Sequence, residues 1–164
     1  MKKISFTIFL LALVAMTFTS CKKSRGIIFS SHFDNATDLN LWSHSSDGDA
    51  VVDSSVLKLR AITGCMQLET VDVITVSKGK TYTLKFKGKV DPTLVGETGY
   101  CVGDYMIYVE QGSTDIIADS FGNYTGWTQK SFSFEATSSA SVKIKFLIGT
   151  VKGAWIDDLE LIEN

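Results

Sequence analysis

The sequence predicts an all-β chain, an antiparallel β-sandwich or jelly roll of about eight to nine strands, and three observations carry that prediction. Apolar and polar residues alternate with period two over runs of five to seven residues, the signature of a strand with one wet face. Turn-forming clusters punctuate those runs: Asp47-Gly48, Lys78-Gly79-Lys80, Gly122-Asn123, Thr137-Ser138-Ser139 and Lys152-Gly153. Beyond the N-terminal segment, no stretch keeps a 3.6-residue apolar stripe for three turns. At 164 residues the chain is one domain.

Residues 1–20 read as an address. Lys2 and Lys3 give a basic start, and Ile4 to Phe18 is an apolar run broken by Ser5, Thr7 and Thr17. Such a run is short for a bilayer span and fits a secretory h-region. It ends in Phe18-Thr19-Ser20-Cys21, which resembles the lipobox of bacterial lipoproteins, whose cysteine is lipidated and becomes the mature N-terminus. The alternative is an ordinary signal peptide with a coincidental cysteine. The lipobox reading places the protein in the bacterial cell envelope, anchored to the membrane, with the outer membrane expected. Basic Lys22, Lys23 and Arg25 differ from the acidic residues that follow the cysteine in surface-exported lipoproteins. Residues 21–26 then form a short tether: Lys22 to Gly26 reaches about 17 Å when extended. The domain follows over residues 27–164.

Within that domain, strand candidates run in order. Ile27 to Phe33 is the first, and Thr37 to Leu41 has room for one helical turn. Leu57, Leu59 and Ala61 alternate with Lys58 and Arg60; Met66 and Leu68 alternate with Gln67 and Glu69. Val71 to Val76 follows, then Thr81 to Lys87, with Tyr82, Leu84 and Phe86 on one face. Tyr105, Ile107 and Val109 alternate with Met106, Tyr108 and Glu110. Lys130 to Ala136 places Phe132, Phe134 and Ala136 inward, and Val142 to Ile148 sets Val142, Ile144, Phe146 and Ile148 against Lys143 and Lys145. Trp155 to Ile162 closes the series. Two such faces packed together make a sandwich.

Composition excludes several function classes. A net charge of −2, with no Lys/Arg-rich run, argues against a nucleic-acid partner. Without residues 1–20, 14 basic residues face 18 acidic ones. Two histidines, His32 and His44, read as surface or turn residues. The sequence has no serine nucleophile elbow, no phosphate-cradling glycine loop and no paired-histidine zinc spacing. Cysteines point to an oxidising compartment. With Cys21 lipidated, Cys65 and Cys101 form an even pair whose disulfide would close a loop of about 36 residues and stabilise by a few kcal/mol. The alternative is two buried thiols.

Several motifs together resemble a known family. His32-Phe33-Asp34, Trp42, the Gly79-Lys80-Thr81-Tyr82-Thr83-Leu84 strand, Gly126-Trp127 before Phe132-Ser133-Phe134, and the closing Ala154-Trp155-Ile156-Asp157-Asp158-Leu159-Glu160-Leu161 are similar in order and spacing to carbohydrate-binding modules. These are the jelly-roll modules of the family 4/9 and 22 type, which are galactose-binding-domain-like, and the likeness runs from Phe29 to Ile162. The resemblance implies a polysaccharide or oligosaccharide partner bound in a concave groove by flat aromatic rings and polar groups. It also implies a structural Ca²⁺ held by Asp34 and Asp157, for which the alternative is that both cap turns and strand ends. Trp127 and Trp42 match core positions, whereas Trp155 fits either role.

Candidate groove residues are Tyr108 and Glu110 on one outward face, Gln67 and Glu69 on another, Trp155, and the loop residues Tyr100 and Tyr124. Asp47-Gly48-Asp49 reads as a turn. The expected function is non-catalytic glycan binding. The alternatives are an interaction or assembly subunit docking on an envelope protein partner, which predicts an exposed apolar patch, and a glycoside hydrolase, which needs two carboxylates facing one cleft.

Overall fold

The computed structural model describes residues 26–91, 105–120, 124–139, 141–149 and 153–164. Among these residues twelve strands form: β1 (Gly26–Ser31), β2 (Trp42–His44), β3 (Gly48–Asp53), β4 (Val56–Ala61), β5 (Cys65–Thr70), β6 (Ile74–Thr75), β7 (Thr81–Val90), β8 (Met106–Gln111), β9 (Thr114–Ser120), β10 (Thr128–Glu135), β11 (Ser141–Gly149) and β12 (Gly153–Glu163). A 3₁₀ turn over Ala36–Leu41 is started by Asn35, whose side chain accepts from the Thr37 amide.

The strands build two six-stranded antiparallel sheets. One, sheet A, runs β10-β7-β12-β4-β3, with β1 pairing the C-terminal half of β12. The other, sheet B, runs β2-β5-β11-β8-β9, with β6 pairing the start of β11. The expected β-sandwich is therefore present, and the alternation read from the sequence decides its faces. Leu57, Leu59, Leu84, Phe86, Ile156 and Leu161 of sheet A meet Met66, Leu68, Ile107, Val109, Ile144 and Phe146 of sheet B, all buried.

Aromatic contacts bind the two layers. The Phe86 ring meets Phe146 edge-on across the core at 5.3 Å, and Phe146 in turn touches Trp42 at 6.0 Å. Trp42 is buried, as expected, and its indole Nε1 donates to Ser31 Oγ at 3.1 Å, which satisfies both polar groups. Buried Gln111 works similarly: its amide donates to the Ser138 carbonyl at 3.0 Å and accepts from Thr137. Tyr105 donates to the Gly153 carbonyl at 3.4 Å, and burial, with the Asp91 charge, pushes its phenol up to about 12.

Three strands are absent from the sequence reading. Gly48 opens β3 and is needed for close approach rather than for a turn, because a Cβ there would strike the Arg60 carbonyl oxygen and the Met66 side chain. β3 and β4 are joined by Ser54-Ser55, both at positive φ, as a two-residue hairpin of the I′ kind requires. β9 follows β8 through Gly112-Ser113, and a bulge opposite Val109/Glu110 leaves Ile116 and Ile117 adjacent, breaking the alternation that would have announced the strand. β2 spans three residues. The expected strand over Val71 to Val76 reduces to Ile74–Thr75, since Val71 and Val73 are exposed.

Candidate functional site

Four of the sequence-selected residues meet on the outer face of sheet B. Inward packing of Met66, Leu68, Ile107, Val109, Ile144 and Phe146 turns their neighbours outward, and the strand registers align these into rows. One row is Ser43, Glu69, Lys145, Tyr108 and Ala118. Beside it lie Gln67, Leu147 and Met106 on one side, and Lys143, Glu110 and Asp115 on the other.

A connected polar network runs across these rows. Lys143 Nζ donates to Glu69 Oε1 at 2.8 Å, and Gln67 Nε2 donates to Glu69 Oε2 at 3.0 Å. Lys145 Nζ lies 2.6 Å from Glu110 and 3.7 Å from Glu69. Hydrogen bonding from Lys143 holds the Glu69 carboxyl below its ordinary value against the opposing effect of burial, helped by the Lys143 and Lys145 charges and the Gln67 bond. The Lys145 ammonium is raised, first by its bond to Glu110, against the opposing effect of burial. Lysines and carboxylates thus neutralise one another while fixing donors and acceptors in place. Next to them a depression of about 300 Å³ is lined by Gln67, Tyr108, Glu110, Asp115, Lys145 and Leu147, among others. Sequence reasoning missed Lys143, Lys145 and Asp115 as members of this site, although the outward parity of both lysines was plain.

The remaining groove candidates do not join this face. Trp155 lies on β12, in sheet A, with Lys58 and Lys89 each 4.9 Å from its ring centroid. It belongs to the opposite outer surface of the sandwich, because Ala154 and Ile156 take the inward positions beside it. Tyr124 is in a loop, as expected, but also on the sheet A side: its carbonyl accepts from the Val90 amide at 2.6 Å and its hydroxyl from Lys130 Nζ at 3.1 Å. Tyr100, Cys21 and Cys101 lie outside the described residues. Cys65 is disulfide-bonded.

The core placement of Trp127 is corrected. Its side chain is 44% exposed. Inward positions of β10 are even-numbered, with Phe132 on Phe86 and Phe134 on Tyr82, so an odd-numbered residue just before the strand faces out. Lys89 sits 4.9 Å from its ring centroid. The same parity rule, extended one residue beyond the strand, would have placed it.

The proposed calcium ligands Asp34 and Asp157 lie where β1 leads into the 3₁₀ turn beside β12. Backbone geometry is unusual on both sides: Phe33 and Asp158 have φ of 56° and 49°, and the β12–β7 register shifts between Asp157 and Glu160. Burial raises the Asp157 carboxyl, aided by the Asp158 and Asp34 charges, while the Asp158 amide bond and Lys87 oppose it. Asp158 is committed elsewhere, 2.6 Å from Lys87 and 3.5 Å from His32. Among the described residues, no group of three or more His, Cys, Asp or Glu side chains gathers to hold a metal. Asp34 and Asp157 therefore supply two carboxylates, and carbonyl or water oxygens would have to complete a calcium shell.

No protein-family model matches the sequence, and no curated protein matches it. Solved structures do. The N-terminal cellulose-binding domain of Cellulomonas fimi β-1,4-glucanase C superposes with a TM-score of 0.62 at 15% identity, covering 85% of this chain and 97% of its own. A family 4 carbohydrate-binding module gives 0.61 at 16% identity, covering 79% of this chain and 100% of its own. The CBM22-1 xylan-binding domain from Paenibacillus barcinonensis gives 0.56 at 13%, covering 85% and 95%. At these identities the likeness establishes architecture. The chain has the jelly-roll β-sandwich fold of carbohydrate-binding modules.

Proposed function

We propose that the protein is a non-catalytic glycan-binding lipoprotein of the bacterial cell envelope, lipidated at Cys21, with its glycan site on the outer face of sheet B. The observation that carries this reading is the depression beside Tyr108, bordered by a polar network already fixed in place. Tyr108 would offer a ring face to a sugar, while Gln67, Glu110 and Asp115 would meet hydroxyls. Pre-formed partners reduce the ordering cost of binding. Two of the modules that share the fold are a cellulose-binding and a xylan-binding domain by name, which supports a polysaccharide ligand.

Glu110 and Asp115 line the depression and Glu69 lies beside it, 3.7 Å from Lys145, so carboxylates of the kind a hydrolase needs are close together. Their surroundings argue against that role. A glycosidase acid must hold its proton, with a raised pKa, whereas Lys143 keeps Glu69 charged and Lys145 is ion-paired to Glu110.

Affinity electrophoresis through plant, host and microbial polysaccharides tests the proposal. Retardation by one polymer, abolished by Tyr108→Ala, supports it; no retardation by any polymer, from folded protein supplied with calcium, rejects it. A second reading, docking on an envelope protein, has an observation of its own. Ile28, Leu41 and Val73 are exposed around a groove of about 360 Å³ that Phe29 and Ile74 also line. Failure with every glycan would shift attention there.

Two subsidiary proposals accompany this one. Asp34 and Asp157 would hold a structural Ca²⁺, which would neutralise two carboxylates close enough for the Asp34 charge to raise the Asp157 carboxyl. Cys101 is the partner of Cys65.

A further inference from the structure

The outer face of sheet A carries a second ordered constellation. Strand registers align Val51, Lys58, Trp155 and Lys89 in one row across β3, β4, β12 and β7, and Trp127 continues it before β10. The row spans about 19 Å at the usual strand spacing. Lys89 Nζ stands 4.9 Å from the ring centroids of both Trp127 and Trp155, so the two rings are at most twice that distance apart. Lys58 Nζ also stands 4.9 Å from the Trp155 ring centroid.

Charge separates this row from the Tyr108 face. There, both lysines are neutralised by glutamates. Here, neither Lys58 nor Lys89 forms an ion pair among the described residues, and each is held over an aromatic ring instead. Outward carboxylates lie in the flanking rows: Asp49 is opposite Arg60, and Asp157 is opposite Lys87. The row itself is cationic and aromatic, with Trp127 44% exposed.

We propose that this row is a second binding site, for an acidic polysaccharide of the polyuronate class. A polyuronate repeats one sugar ring and one carboxylate per unit. The row likewise alternates rings and ammonium groups along a line, so Trp127 and Trp155 stack on sugar faces while Lys58 and Lys89 receive the carboxylates. An anionic membrane offers the same charge, but the geometry disfavours it. β1 sets Gly26 opposite Glu163, eight residues along β12 from Trp155, or about 26 Å. Gly26 thus lies at the far end of the sheet from the row.

Calorimetric titration of the full-length chain in detergent with oligogalacturonate tests the site. Binding is expected, weakened by added salt. Trp127→Ala, and Lys58→Gln with Lys89→Gln together, should each weaken it by about tenfold, the worth of roughly one stacked ring. Tyr108→Ala should leave it unchanged. Thermal melts verify that each variant is folded, and Lys89→Gln alone serves if the double variant is not. No binding, or binding indifferent to Trp127 and to the lysines, overturns the proposal. So does binding of phosphatidylglycerol vesicles in place of the oligomer. Neutral xylan and cellulose oligomers, titrated in parallel against Tyr108→Ala, report on the sheet B site separately.

Discussion

Single residues decide both stability and binding in this sandwich. Gly48 is the clearest case of a position where one methyl group matters. Its missing side chain lets β3 pass the Arg60 carbonyl and Met66. Gly48→Ala should lower stability by about 1–3 kcal/mol, seen as a reduced urea midpoint with an unchanged m-value. Phe146 matters for the opposite reason, since it fills the space between Phe86 and Trp42. Phe146→Ala should cost about 3–5 kcal/mol by the same measurement. Which face a residue takes was readable from parity alone. Tyr108, Glu110, Gln67 and Glu69 all lie outward as their alternation required. Which sheet they share was not. Tyr108 and Trp155 are both outward, yet they sit on opposite surfaces because β8 joins sheet B and β12 joins sheet A. Parity is a local property, whereas strand order depends on pairings between residues far apart in sequence.

At the scale of elements, the hairpins and the network across β5, β8 and β11 carry testable behaviour. Ser54 and Ser55 both occupy left-handed conformations, with φ of 54° and 59°. Serine is a poor choice there, and Asn-Gly is the favoured pair. Replacing Ser54-Ser55 with Asn-Gly should raise the melting temperature, with a gain of about 1 kcal/mol. That turn escaped detection in the sequence because its residues lack the usual signal. β9 escaped because its bulge puts Ile116 beside Ile117. The long alternating strands β4, β7, β10 and β11 were found to within a few residues, since both of their faces have distinct solvents.

Glu69 makes the network sensitive to acid. Its folded pKa lies below the unfolded value of 4.5, chiefly through the Lys143 hydrogen bond. The stabilisation is complete above that value and is lost as pH falls through the folded one. Asp157 acts in the opposite sense: its raised folded pKa means that acid relieves a burial penalty. Melting temperature should therefore fall below about pH 4.5, and Glu69→Gln should lower the neutral melting temperature while flattening that acid limb, so that variant and wild type converge in acid.

For the whole molecule, calcium and the disulfide are the two proposals with global readouts. If Ca²⁺ bridges Asp34 and Asp157, added calcium raises the melting temperature, chelation reverses the rise, and Asp157→Asn removes it. An equal melting temperature with calcium and with chelator would reject the site. The antiparallel sandwich itself was anticipated from alternation and turn spacing, as about eight to nine strands. The count of strands was too low, because short or bulged edge strands such as β2 and β9 carry weak patterns.

The position of β12 has a consequence for how the chain is made. It is the last of the described strands, yet it lies inside sheet A, pairing with β1, β4 and β7. A ribosome releases this segment after all the others, so sheet A has no centre on which to assemble during synthesis. Until β12 pairs, β1, β4 and β7 keep open edges, which makes the last described strand the one that closes sheet A.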